Sequence, residues 1–170
     1  MSAGWGQVIR LDAVPAQGRT VRLSADAKAL TALTRELDLL ELSRLDAELS
    51  LIPWFDGVEV RGHWDASLAQ ACVVTLERLE SELSGEFTLR IVPPESRLAP
   101  KDSDIINLDP EADDPPDISE DGEIDLAGLV VEQLALNIDL YPRKEGATFE
   151  PPALDPEASP FAVLRNFKPQ

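Results

Sequence analysis

The run GEIDLAGLVVEQLALNIDLYP, from Gly122 to Pro142, decides the fold. It opens among the acids Asp121, Glu123 and Asp125, which suit the positive end of a helix dipole. Asp125 is placed to cap the first exposed N–H groups. Leu126, Leu129, Val130, Leu134 and Ile138 then recur mostly at three- and four-residue steps, the mark of a helix with one buried stripe. Val131 and Leu136 widen the stripe, which predicts cover on more than one side and leaves Glu132 on the open side. Pro142 marks the end, because it lacks an N–H and pushes Tyr141 out of the helical region.

Upstream, the period changes from helical to alternating. Val58, Val60, Gly62, Trp64, Ala66 and Leu68 fall on one side of a strand, and Glu59, Arg61, His63, Asp65 and Ser67 on the other. This strand is expected to run on toward Leu76, past a bulge near Ala69–Ala71. Phe87, Leu89 and Ile91 alternate with Glu86, Thr88 and Arg90 in a second strand over 82–92, and 47–52 alternates before Pro53 and Trp54. The Asp56-Gly57 pair favours a tight turn between two of these strands. Three such strands on short turns predict an antiparallel meander. Nearer the start, Trp5 to Val14 and Thr20 to Leu23 read as a hairpin. Ser24 then caps a helix with Asp26 in its first turn and Leu30, Leu33, Leu37 and Leu40 as its stripe.

Charge divides the chain unevenly. Residues 1–93 carry 9 basic and 14 acidic groups, residues 94–125 carry 2 and 12, and residues 126–170 carry 4 and 6. Most of the net charge of −17 therefore lies in one acidic strap, where six prolines fall between Pro93 and Pro116. That composition predicts a flexible insert, with Ile105, Ile106 and Leu108 as a cluster able to dock as an edge strand. Beyond Gly146 the chain turns Pro-rich, and Ser159-Pro160 is a helix start ahead of Phe161, Leu164 and Phe167. The expected class is α+β: an antiparallel meander or partly closed barrel packed with two main helices, plus an acidic flexible insert. Residues 1–93 form the β-rich body with one helix, 94–121 the insert, and 122–170 a helix and extension packing on that body as a single domain.

Two blocks carry a family resemblance. The order Ile124-Asp125-Leu126, Leu129-Val130, Glu132, Leu134, Leu136, Ile138, Leu140, Pro142 resembles the YceD family of large-ribosomal-RNA-subunit accumulation proteins. Cys72-Val-Val-Thr75-Leu76-Glu77, followed by the strand Phe87 to Pro93, is similar to that family's middle motif. Where many relatives look like Cys-x-x-Cys, this chain has Cys72 and Thr75. The resemblance implies structural roles for Cys72, Leu76, Glu77, Asp125, Leu126, Leu129, Leu134 and Pro142.

Chemistry-bearing motifs are sparse. One cysteine and one histidine do not assemble four zinc ligands, so Cys72 is expected as a buried structural residue and no metal or other cofactor is expected. No Gly-rich phosphate loop, nucleophile elbow or His-x-x-His pair is present, and no catalytic residue is assigned. The start lacks a basic segment followed by an apolar run, and no apolar run approaches the ~18 residues of a membrane span. The expectation is a soluble cytoplasmic protein that is not an enzyme, binds no small-molecule substrate and has no membrane partner.

Arg61 and His63 make a small basic patch, and Trp54, beside Pro53 at a turn, is placed to meet a partner; Glu132, Arg143 and Lys144 complete the candidate contact residues. The resemblance implies a non-enzymatic factor in large-subunit biogenesis whose partner is ribosomal RNA or a basic ribosomal protein. The acidic balance favours the basic client, since RNA contact normally needs Lys and Arg. The helix assignment makes its own test. Leu134→Asp places an unpaired charge in the core at a cost of roughly several kcal/mol and should unfold the domain. Glu132→Gln should leave the melting temperature nearly unchanged.

Overall fold

The computed structural model describes residues 5–100 and 114–149. Strands β2 (Arg19–Ser24), β3 (Glu41–Trp54), β4 (Gly57–Ala71) and β5 (Arg78–Val92) form the expected antiparallel meander, and β6 (Asp117–Ile118) joins the far edge of β5 in parallel. A separate two-stranded sheet pairs β1 (Val8–Arg10) with β7 (Glu123–Asp125). Helix α1 (Ala27–Glu36) packs on β3, and α2 (Leu126–Asn137) packs on β4, β5 and β1. The class is α+β. The sheet stays open in the order β2-β3-β4-β5-β6 and does not close into a barrel. Its two outer strands are its shortest and lie at opposite ends of the order, so neither reaches the other.

The inner face is set by an exchange between two strands. Gly62 lies opposite Phe87, and Trp64 opposite Gly85. A methyl group on Gly62 would meet Phe87 Cε1 at 2.3 Å, and one on Gly85 would meet Trp64 Cζ2 at 2.8 Å. Each ring thus fills the space that a side chain on the facing residue would take. Trp64 is 1 % exposed and joins Leu45, Leu49, Leu51, Val58, Val60 and Ala66 in the core. From α2 come Leu126, Val130 and Leu134, all fully covered. The alternation read for β4 holds from Val60 to Leu68, while Glu59, read on the wet face, is buried, and Ala69 is buried next to Leu68.

Several local expectations change. The hairpin between the first two strands does not form, because the 3-10 turn Leu11–Ala13 and the Pro15–Gly18 turn redirect the chain. β1 pairs with β7, seating Ile9 opposite Ile124, and β2 pairs with β3. The cap of α1 is Asp26, whose Oδ1 accepts from the Ala29 N–H at 2.8 Å; Ser24 is still in β2, paired with Asp46. α1 stops at Glu36, so Leu39 is buried and Leu40 exposed. The tight turn between β3 and β4 is Phe55-Asp56, with Gly57 already in β4. β4 ends at Ala71, since the Cys72 N–H bonds to the Glu77 carbonyl and closes a turn.

α2 ends at Asn137, before Pro142. Beyond Asn137 the chain bends and is tied to the body, Gln70 Nε2 donating to the Asp139 carbonyl and the Val73 N–H to that of Pro142. Leu136 is 72 % exposed, so the widened stripe is not buried on that side. The ends of the acidic strap are built into the body. Ser96 is buried with its Oγ donating to Asp56 Oδ1 at 2.9 Å, and the Ser119 N–H donates to the Val92 carbonyl. The Ile105–Leu108 cluster and the helix from Ser159 lie outside the described residues; the edge strand observed is Asp117–Ile118. Gly62→Ala and Gly85→Ala should each cost about 1–3 kcal/mol through overpacking, read as lower urea midpoints with unchanged slope.

Candidate functional site

Beside the start of α2 lies a cleft of about 720 Å³. β6, β7 and the first turns of α2 bring Asp117, Glu120, Asp121, Glu123, Asp125 and Glu132 to its wall, with no basic residue among the lining. Ile91, Ile118, Ile124 and Leu129 supply apolar surface. Asp125 caps α2, its Oδ1 accepting from the N–H groups of Ala127 and Gly128 at 3.1 Å each. The Glu123 N–H donates to Asp121 Oδ1 at 3.0 Å, and the Ser119 hydroxyl lies within reach of both Asp121 and the Glu123 carbonyl. The Glu123 N–H, ahead of the Ser119 hydroxyl, holds the Asp121 carboxyl below the usual carboxylate range. The helix end offers roughly half a positive charge. Six carboxylates outweigh it, and a cleft lined by one sign concentrates the opposite sign of ligand.

At the other end of β4 the two family-like blocks meet. Cys72 Sγ accepts from the backbone N–H groups of Thr75 and Lys144, each at 3.4 Å. Lys144 Nζ pairs with both Glu77 oxygens at 3.1 and 3.0 Å, and Thr75 Oγ1 donates to Glu77 Oε2 at 3.0 Å. The Val73 N–H bonds to the Pro142 carbonyl at 2.9 Å. Cys72 is shut off from solvent. The Lys144 N–H first, then Thr75, draws its thiol down to about 6. Leu76, 79 % exposed, sits at a φ of 60° at the crest of this turn. The donors to Cys72 escape sequence reading because one is a backbone group from a distant part of the chain.

The remaining candidates lie on the open face of the sheet or at its edge. Arg61 pairs with Glu59, His63 Nε2 lies 3.2 Å from Asp65, and His63 Nδ1 lies 3.9 Å from Glu86. Glu59 is 7 % exposed between Arg61 and Arg90, which together hold its carboxyl below the usual range, Arg61 most strongly. The Arg90 guanidinium lies 5.1 Å above the Trp54 ring, and Phe55 meets that ring edge-on at 4.9 Å. The exposed aromatic at this tip is Phe55, held at a φ of 51°, which sequence patterning does not single out. Arg143 is exposed beside the paired Lys144. Leu126 and Leu134 belong to the core, while Leu129 and Glu132 line the cleft.

A family model described as large ribosomal RNA subunit accumulation protein YceD matches residues 60–168. That span holds both the Cys72–Glu77 turn and the acidic cleft. No curated protein and no solved structure matches the chain. No helix among the described residues is long and apolar enough to cross a membrane. Among those residues no group of three or more His, Cys, Asp or Glu side chains is arranged to hold a metal ion.

The Cys72 environment has a pH signature. A thiol lowered to about 6 in the fold, against ~8.5 in the unfolded chain, leaves the unfolded state binding more protons between those values. Its contribution to stability should therefore be full above about pH 8.5 and fade as pH falls through 6. Thiolate ultraviolet absorbance should titrate with a midpoint near 6, and Cys72→Ser should remove this part of the pH dependence of the urea midpoint. A midpoint near the free-thiol value would mean that the two N–H donors do not hold an anion.

Proposed function

The chain belongs to the YceD family of large ribosomal RNA subunit accumulation proteins, and from that premise we propose that it is a non-enzymatic factor in large-subunit biogenesis that acts by holding a basic segment of a ribosomal protein. One observation carries this reading: six carboxylates and no basic side chain line the cleft at the start of α2. A Lys- or Arg-rich segment finds there both charge and an apolar floor. Phosphate finds repulsion. The cations of the small basic patch, Arg61 and His63, sit among Glu59, Asp65 and Glu86, which leaves little positive potential on that face for phosphate. Through a bound protein client the chain supports accumulation of the large-subunit RNA without neutralising phosphates itself.

The experiment is a tagged pull-down from growing cells, with and without ribonuclease. Ribosomal proteins should be recovered in both arms. Glu120→Lys with Glu132→Lys should weaken that recovery about tenfold, the equivalent of ~1.4 kcal/mol, and the wild-type complex should loosen as salt rises. Recovery of large-subunit RNA precursors that vanishes with ribonuclease, and that is lost in Arg61→Ala with His63→Ala, would overturn the reading in favour of direct RNA contact.

A further inference from the structure

Among the described residues, β5 leaves one long edge open. On its inner side it pairs with β4 from Arg78 to Ile91 without interruption. On its outer side it meets β6 at Ile91 and Val92 alone. From Arg78 to Thr88 no described residue bonds to that outer backbone edge, and no residue of the run is buried. Natural edge strands are kept from pairing by proline, bulges, short length or charged side chains, lysine above all. This run has no proline, no break in register and no lysine.

Its side chains specify what fits. Arg78, Glu80, Glu82 and Glu86 lie on the open face and give it a net negative charge. A second copy would bring the same acids into a chain already at −17, and like charges opposite one another oppose pairing. On the other face Leu79, Leu83, Phe87 and Leu89 are half-buried, so part of their apolar surface is left uncovered. The complement is a strand that alternates basic and apolar residues. The end of the slot is also defined. β6 fills it at Ile91, and Ile91, Asp117 and Ile118 belong to the wall of the acidic cleft.

We propose that the outer edge of β5, from Arg78 to Thr88, takes up an extended basic segment of a partner protein as an added strand, whose continuation enters the acidic cleft. Backbone hydrogen bonds supply affinity, and alternate side chains supply selection. This deepens the basic-client reading and rests on it.

The probe is a synthetic peptide of alternating lysine and valine, with a second version N-methylated at every other amide. Hydrogen exchange on the full chain should show outward-facing amides between Leu79 and Thr88 slowed about tenfold or more by the first peptide. The methylated peptide should bind at least about tenfold more weakly, and Glu80→Lys with Glu86→Lys should abolish the protection at an unchanged melting temperature. Equal binding of both peptides without slowed amides would leave charge attraction alone and overturn the inference. So would amides on that edge that already exchange slowly in the free protein, because the chain itself would then occupy the slot. If Glu80→Lys with Glu86→Lys still recovers ribosomal proteins after ribonuclease, the client reading stands and the added strand falls. If the wild type loses them with ribonuclease, the client reading falls first.

Discussion

The rest of the structure depends on the crossed pairing of rings and glycines between β4 and β5. Phe87 fills the space above Gly62, and Trp64 fills the space above Gly85. Trp64 is fully buried and Phe87 half-buried, and a buried aromatic ring covers on the order of 150–250 Å². The two strands thereby hold one register over fourteen consecutive partner pairs. That register fixes which residues face α1 and α2 and which face water, since a slip of one residue would turn every side chain over. It also fixes the acids of β5 on the open side and its leucines on the covered side.

Charge has a different role from packing. The ion pairs of the open face, such as Arg22 with Glu48 and Arg44 with Glu82, are exposed and worth ~0–1 kcal/mol each. They contribute little to the fold, but they occupy the cations. Arg61, Arg78 and Lys144 each contact at least one carboxylate, whereas no basic residue lines the cleft, where, among the described residues, Glu123 alone stands opposite a cation, Arg10, in the β1–β7 pair. A near-balanced body therefore presents a one-signed cleft. Net charge alone does not say where that sign is concentrated.

Legibility follows the range of the interactions. The period of β4, the Asp125 cap and the Leu126–Val130–Leu134 stripe are local, and spacing reveals them. Sequence reading goes astray where a distant partner decides. Val8–Arg10 has the pattern of one arm of a hairpin, yet its partner is Glu123–Asp125. Pro142 has the place of a stop for α2, yet the helix already ends at Asn137 and the segment after it is tied to the body by Gln70 and Val73. Leu136 fits a helical stripe but lies open to solvent. At the site, exposure marks Glu132 and the motif marks Asp125, but nothing in the spacing joins them to Asp117 and Glu120 around one cleft. Cys72 is buried, as expected; the two backbone N–H groups that donate to its sulfur come from Thr75 and from the distant Lys144.

The pairing of β1 with β7 bears on the order in which the chain acquires its structure. Synthesis runs from the N-terminal side, and the meander from Arg19 to Val92 is complete in sequence before β7 exists. Ile9 must wait for Ile124, and the core around Trp64 waits for Leu126, Val130 and Leu134 of α2 before it is sealed. Closing a loop of that length carries an entropic cost that grows as about (3/2)RT ln n, which places this step late in folding. Until α2 has left the ribosome, the nascent chain is a half-covered sheet with apolar surface open to water. The docking of α2 therefore joins a segment made early to one made late. A product broken off before Glu123 would lack the strand that anchors Ile9 and the helix that covers the sheet, so an interrupted chain would betray itself by exposed apolar surface.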